Sequence, residues 1–158
     1  MSEVTQRTAS LSDLKDVWGL LREAAAEIPF DLENEAAHES VLSELMACCT
    51  SGMSPIAVDG RAIVGALLAR RDDFEWGFCN NAAIHVSYAA IAPNYKDNGL
   101  LKVLVTELKG RKVPVLVSVK SGNRLGLVDE LKALGFTHEC SAESGWGDLY
   151  KWQPSKAN

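Results

Sequence analysis

The chain has 158 residues, of which 47% are hydrophobic and 23% are charged, as in an ordinary globular protein. At about 150 residues per domain, this length predicts one domain spanning residues 1–158. The net charge of −5 leaves no basic surface for nucleic acid or for an anionic membrane. The polar N-terminal segment and the lack of an apolar stretch of about 18 residues predict a cytoplasmic protein that is not inserted in a membrane.

The four cysteines and three histidines do not have the spacing of a metal site. His138 and Cys140 are two residues apart, but no further ligand type follows at a suitable spacing. We therefore expect structural thiols and no bound metal.

The first fifty residues carry the patterns of a short strand and two helices. Residues 4–8 favour a strand, and apolar residues at three- and four-residue spacing predict a helix over 11–27. Ser10 and Asp13 have the spacing of a capping box at the start of this helix. A second helix is predicted over 35–49, with four apolar side chains facing inward: Val41, Leu42, Leu45 and Met46.

The middle of the chain changes to the pattern of strands. Residues 55–58 and 62–70 are predicted strands joined by a hairpin at Asp59-Gly60. A polar and aromatic loop is predicted over 71–81, and a third strand over 82–92 is stopped by Pro93.

The last third alternates again between helix and strand. A helix is predicted over 100–109 and ends at Gly110, and a strand buried on both faces is predicted over 113–119. A further helix over 125–134 ends at Gly135 in the left-handed conformation, and two strands follow over 136–140 and 148–152. The complete predicted order is β-α-α-β-β-β-α-β-α-β-β. This order predicts an α/β fold.

The segment from Ile91 to Leu108 is the most informative for function. A strand ends at Pro93, a polar turn with one glycine follows, and a helix starts at once. Such a turn points several backbone N–H groups and a helix N-terminus at one place, which suits an anion. Lys96 and Lys102 flank the turn and add positive charge. The alternative is a plain connection between a strand and a helix, with solvated lysines.

The element order and this turn resemble the GNAT superfamily of N-acyltransferases. The turn is similar to the pyrophosphate-binding motif Arg/Gln-x-x-Gly-x-Gly/Ala, with Lys96, Gly99 and Leu101 at its three defined positions. Further matches are Pro93-x-Tyr95, the Ile28-Pro29-Phe30-Asp31 bend, the Asp59-Gly60 hairpin and the Gly135-Phe136 pair. The resemblance implies a mixed central sheet of about six to seven strands flanked by about four helices, with splayed central parallel strands.

The resemblance also implies an activity, in which a primary amine of a small molecule or peptide attacks acetyl-CoA directly. The implied cofactor-binding residues are Ile91, Lys96, Asp97, Asn98, Gly99, Leu100, Leu101 and Asn123. Relatives of this kind are commonly dimers, so a homodimer is possible. Leu101 is bulky and Asp97 is negative where the motif favours small or neutral residues. The alternative is therefore a GNAT-like binding or accessory module with weakened or lost CoA binding.

Two residues of the 82–92 strand are alternative catalytic groups. His85 is the candidate general base, since the ordinary pKa of histidine lies near neutrality. Tyr88 is the candidate acid. Because they are three residues apart on a strand, we expect them on opposite faces. The resemblance implies that Glu27 and Asp31 lie at the acceptor end and attract a cationic amine; the alternative for both is a solvated acidic loop.

Overall fold

The computed structural model describes residues 4–23, 35–76, 79–95, 99–120, 127–141 and 147–154. These ranges contain seven strands and four α-helices, in the order predicted from the sequence. The elements are β1 (Val4–Thr8), α1 (Leu14–Glu23), α2 (Glu35–Thr50), β2 (Pro55–Asp59), β3 (Ala62–Trp76), β4 (Cys79–Ile91), α3 (Leu100–Lys109), β5 (Val115–Lys120), α4 (Leu127–Ala133), β6 (Thr137–Ser141) and β7 (Gly147–Trp152). Within these ranges, no helix combines the length and the apolar character needed to cross a bilayer.

The seven strands form one mixed sheet in the order β1-β2-β3-β4-β5-β7-β6. All neighbours are antiparallel except β4 and β5, which are parallel. The β4–β5 ladder has three residue pairs: Ile84 with Val115, His85 with Leu116, and Val86 with Val117. Beyond them β4 continues to Ile91, and β5 pairs only with β7. The central parallel strands therefore separate, as the resemblance implies.

Helices cover the sheet on both faces. Helices α1 and α2 pack on β3, and α2 reaches the face of β3 that carries Arg70. Helix α3 packs on the opposite face, where a Cβ at Gly65 would lie 3.3 Å from Leu104. Because side chains alternate along β3 between these positions, the two helix layers lie on different faces. The face with α1 and α2 is the one that matters for the site below.

Asp13 anchors β1 to the first helical turn. Both of its carboxylate oxygens accept hydrogen bonds from Arg7, at 2.8 and 2.7 Å, and it also accepts from the Ser10 backbone N–H at 2.8 Å. The predicted capping box is therefore present. The Arg7 guanidinium holds the pKa of the largely buried Asp13 at about 2, below its ordinary 3.8.

We expect Asp13→Asn to cost about 1 to 2 kcal/mol of unfolding free energy at neutral pH, a range reduced because Arg7 is half-exposed. The folded pKa is lowered, so the stabilisation is complete above about pH 4 and is lost as the pH falls towards 2. Urea titrations across this range measure it. Asp16→Asn on the exposed side of α1 is the control and should change stability by less than about 0.5 kcal/mol. Equal pH dependence in wild type and Asp13→Asn would contradict the assignment.

The buried stripe of α2 differs from the prediction. Val41 and Leu45 are buried as expected, but Leu42 and Met46 are 39% and 45% exposed. Their places inside are taken by Cys48 and, at the end of the helix, Cys49. A stripe at positions 41, 45, 48 and 49 follows one face of a helix, whereas Leu42 and Met46 lie one residue further round.

The predicted loop over 71–81 is wrong, because β3 and β4 continue through it as a long hairpin arm. Paired residues run from Arg71 with Ile84 to Trp76 with Cys79. The sequence of this arm is polar and lacks the alternation of apolar and polar residues that indicates a half-buried strand, so the two strands could not be predicted there. The β2–β3 turn also shifts by one residue: Asp59 pairs with Ala62, and Gly60 has the positive φ of 63°.

On β5, the side chains that lie on the same face of the sheet as His85 are only partly buried. Val115, Val117 and Val119 are fully buried on the other face, while Leu116 and Ser118 remain partly exposed. The prediction of a strand buried on both faces is therefore correct for one face only. The partly covered face lies beside the place where β4 and β5 separate.

Candidate active site

The gap between β4 and β5 opens at a β-bulge. On β3, the consecutive residues Leu68 and Ala69 pair with Tyr88 and Val86 of β4, so Ser87 is an extra residue in β4. Ser87 directly follows Val86, the last β4 residue that pairs with β5. A bulge bends its strand, and this one coincides with the point where the parallel pairing stops.

The bulge overturns the prediction that His85 and Tyr88 lie on opposite faces. His85 pairs with Arg70 and Tyr88 pairs with Leu68, and these two β3 residues are two positions apart. Side chains two positions apart on a strand share a face, so His85 and Tyr88 do as well. The extra residue at Ser87 resets the alternation, which simple counting along the sequence cannot show.

His85 connects the two separating strands through its side chain. Its Nε2 atom lies 2.9 Å from Oγ of Ser118 on β5, and the pair is partly buried. Ser118 is one residue beyond the last β5 residue paired with β4. Sequence reasoning missed Ser118, although a lone hydroxyl in the apolar run VLVSVK was a usable signal. The imidazole is thus fixed at the opening of the gap, on the face covered by α1 and α2.

Tyr88 lies beside His85 on this face but is only 1% exposed. Burial raises the pKa of its hydroxyl well above the ordinary value, and the nearby charge of Glu44 raises it further. The hydroxyl therefore stays protonated at neutral pH and can act only as a proton donor in that range.

Glu44 of α2 reaches down to the bulge and was not found from the sequence. Its Oε1 atom accepts a hydrogen bond from the Ser87 hydroxyl at 2.6 Å and forms an ion pair with Nε of Arg70 at 2.9 Å, and the Cys48 thiol lies 3.8 Å away. In the sequence it follows Ser43 in a polar pair between apolar residues of a helix, a pattern typical of a solvated position. The contact partners belong to β3 and β4, which no local pattern connects to α2.

Helix α3 presents an open N-terminus. Its N-cap residue Gly99 is left-handed, with φ of 74°, and makes no side-chain cap hydrogen bond. The first intrahelical bond runs from the Val103 N–H to the Gly99 carbonyl, so the N–H groups of Leu100, Leu101 and Lys102 precede the helical pattern. The side chains of Leu100 and Leu101 are buried in the core, which leaves only their backbone for a ligand.

The structure places only some of the predicted cofactor-binding residues. Ile91 is 3% exposed, with its side chain in the core, so only its backbone can contact a ligand. Four predicted cofactor-binding residues and both predicted residues of the acceptor end lie outside the described residues: Lys96, Asp97, Asn98 and Asn123, and Glu27 and Asp31. Tyr95, the described residue before these positions, donates a hydrogen bond from its hydroxyl to the Asp59 carboxylate of β2.

The described residues contain no group of three or more potential metal ligands. Cys48 and Cys49 are free and buried in the core. Burial, together with Glu44, raises the pKa of the Cys48 thiol to about 12, so it is protonated and unreactive near neutrality.

No protein-family model matches the sequence, and no curated protein matches it. Solved structures, in contrast, match over almost the whole chain. Naa50 from Arabidopsis thaliana, in complex with a bisubstrate analogue, has a TM-score of 0.69 and 13% identity, and the alignment covers 95% of this chain and 98% of Naa50.

Two microbial acetyltransferases match with similar TM-scores and identities. The PaiA N-acetyltransferase from Thermoplasma acidophilum, in complex with coenzyme A, has a TM-score of 0.65 and 17% identity, covering 96% of this chain and 99% of PaiA. The ribosomal-protein-S18-alanine N-acetyltransferase from Escherichia coli has a TM-score of 0.66 and 16% identity, covering 99% and 97%. At these identities the likeness concerns the fold: this chain has the fold of the GNAT N-acetyltransferases.

Proposed function

We propose that the protein is an N-acetyltransferase that transfers an acetyl group from acetyl-CoA to a primary amine of a small molecule or peptide. The observation that carries the proposal is the gap that opens between β4 and β5 at Ser87, with His85 and Ser118 at its opening. Structural neighbours with this fold are N-acetyltransferases, and PaiA contains coenzyme A.

In this proposal, acetyl-CoA lies along the gap with its pyrophosphate at the N-terminus of α3. The backbone N–H groups of Leu100, Leu101 and Lys102 can donate hydrogen bonds to an anion, and the helix dipole favours a negative charge there. Beyond Val86 β4 makes no pairs with β5, so the backbone up to Ile91 can bond to the pantetheine arm. The turn from Lys96 to Asn98, and Asn123, complete the proposed site.

The chemistry requires proton movement on both sides of the reaction. The acceptor ammonium loses a proton, and the neutral nitrogen attacks the thioester carbonyl. The C–S bond then breaks with release of a thiolate, and the acylated nitrogen loses a second proton to give the neutral amide. We assign the base role to His85, which accepts the amine proton directly or through a water. Tyr88 remains the candidate acid, since its raised pKa keeps a proton available for the thiolate.

The acceptor is a free amine. Naa50 and NAA60 from Arabidopsis thaliana are seen in complex with bisubstrate analogues, and the Naa50 analogue carries the peptide MVNAL. A peptide N-terminus is therefore one acceptor to try, beside small alkylamines. Glu27 and Asp31 stay proposed residues of the acceptor end, and cytoplasmic location and a homodimer stay predictions from the sequence.

A thermal-shift titration with acetyl-CoA tests the proposal. A ligand that binds the native state stabilises it by about 2.7 kcal/mol at 100 times its Kd, which for a chain of this size raises Tm by roughly 5 to 10 °C. ATP is the control, because it also carries phosphates on an adenosine but lacks the pantetheine arm. No shift at millimolar acetyl-CoA, or an equal shift with ATP, would contradict acetyl-CoA binding.

The same titration decides the second candidate, an accessory module without CoA binding. One of its two supports weakens in the structure. Leu101 is bulky, but its side chain is 3% exposed and turned into the core, so it does not occupy the space outside the helix N-terminus. Asp97, the other support, lies outside the described residues.

A further inference from the structure

Glu44 is a largely buried carboxylate at the opening of the gap, and its contacts with the protein are made by one of its two oxygens. Its side chain is 19% exposed. The Ser87 hydroxyl, the Arg70 guanidinium and the Cys48 thiol all contact the same oxygen, Oε1. In the described part of the chain no residue donates to Oε2. The carboxylate is therefore held firmly by one oxygen while the other can accept from a ligand.

This carboxylate lies on the face where the acceptor must approach. Ser87, only 2.6 Å from Oε1, is the bulge residue at which β4 leaves β5. His85 and Tyr88 share its face of the sheet, and the field of Glu44 reaches Tyr88, whose pKa it raises. Helix α2 thus brings a negative charge to the place where the proposed thioester and base meet.

Stability does not require a charge at this position. Burying a carboxylate is costly, and a buried ion pair often contributes no more than well-packed apolar residues. Arg70 compensates Glu44 only in part, because the Arg70 side chain is 46% exposed and water screens its charge more strongly. The opening of the gap therefore keeps a negative field, which favours a cation.

We propose that Glu44 is the acceptor-recognition residue, which binds the protonated amine of the substrate through Oε2. The acceptor class is then alkylammonium compounds, including protonated chain termini, and not neutral arylamines or alcohols. This inference rests on the proposed function, and it adds a residue to the acceptor end besides Glu27 and Asp31. Ser87 and Arg70 are positioning residues in it, because they hold the carboxylate through Oε1.

Direct binding of benzylamine, with benzyl alcohol as the neutral compound of the same shape, tests the inference without any turnover. Saturation-transfer NMR at neutral pH, in the presence of CoA, should show binding of benzylamine and not of benzyl alcohol. Glu44→Gln keeps the size and the Oε1 acceptor but removes the charge, and should weaken benzylamine binding by about tenfold or more, as for loss of a hydrogen bond to a charged group.

Two variants separate recognition from positioning. Glu107→Gln makes the same substitution on the exposed side of α3 and should bind benzylamine like wild type. Ser87→Ala removes one Oε1 contact and keeps the Glu44 charge, so its benzylamine affinity should fall much less than that of Glu44→Gln, because Ser87 positions the carboxylate and does not contact the amine. Equal binding of benzylamine and benzyl alcohol, no benzylamine binding by wild type, or unchanged binding in Glu44→Gln overturns the inference. Loss of acetyl-CoA affinity in both Glu44→Gln and Ser87→Ala also overturns it, since Glu44 would then only hold the bulge.

The acetyl-CoA titration distinguishes failure of the proposed function from failure of the role proposed for Glu44. If wild type shows no thermal shift with acetyl-CoA, the proposed function fails. If wild type and Glu44→Gln shift equally with acetyl-CoA and bind benzylamine equally, the proposed function stands and the role of Glu44 fails.

Discussion

We expect Gly99→Val to lower acetyl-CoA affinity by about 100-fold, which corresponds to about 2.7 kcal/mol. Gly99 has φ of 74°, which strongly disfavours a β-branched side chain. A Cβ at this position meets nothing within 4 Å, so the substitution acts through backbone strain and not through a clash inside the protein. Relief of that strain turns the first N–H groups of α3 away from the proposed pyrophosphate, and hydrogen bonds to a charged group contribute about 1.5–3 kcal/mol each.

Gly52 offers a matched control for this experiment. It has nearly the same φ, 73°, and also meets nothing within 4 Å of an added Cβ, but it lies between α2 and β2. Gly52→Val should therefore cost similar stability and leave acetyl-CoA affinity unchanged. The measurement is calorimetric titration of both variants, with urea unfolding of each. Wild-type affinity in Gly99→Val would show that the cofactor does not use this turn.

The order of elements could be predicted because each one carries a local signal. The apolar stripes of α1 and α3, the turn at Gly60 and the left-handed Gly135 are all visible within a few residues of sequence. The strand segments 71–76 and 79–81 were missed because their polar sequence carries no alternation of apolar and polar residues, and their pairing is defined only by the register of β3 against β4.

The candidate site was less predictable because it depends on pairing between distant residues. Gly99 and His85 were proposed from local patterns, and their roles stay predictions. The bulge at Ser87 exists only in the register of β4 against β3, and it reverses the expected face of Tyr88. Glu44 is 43 residues from Ser87, and Ser118 is 33 residues from His85. Such contacts follow from the assembled sheet and its helix layer, and single positions in the sequence do not signal them.

We expect His85→Gln to lower kcat by about 100-fold or more, the usual range for loss of a positioned general base. Glutamine can still bond to Ser118 but cannot take up a proton near neutral pH. Acetyl-CoA affinity should stay within about twofold of wild type, because the imidazole is assigned to the amine and not to the cofactor. The assay measures CoA thiol release with benzylamine or a peptide with a free N-terminus as acceptor.

The dependence of the rate on pH separates a base from a merely structural histidine. For wild type, kcat/KM should fall tenfold per pH unit at the acid end, where the base is protonated, and His85→Gln should lose this slope. His138→Gln is the control, because His138 is half-exposed on the edge strand β6 and should keep both rate and slope. Ser118→Ala should lower kcat by less than His85→Gln, since it removes only the group that holds the imidazole across the gap. An unchanged slope in His85→Gln would remove His85 from proton transfer and leave it as the tie between β4 and β5.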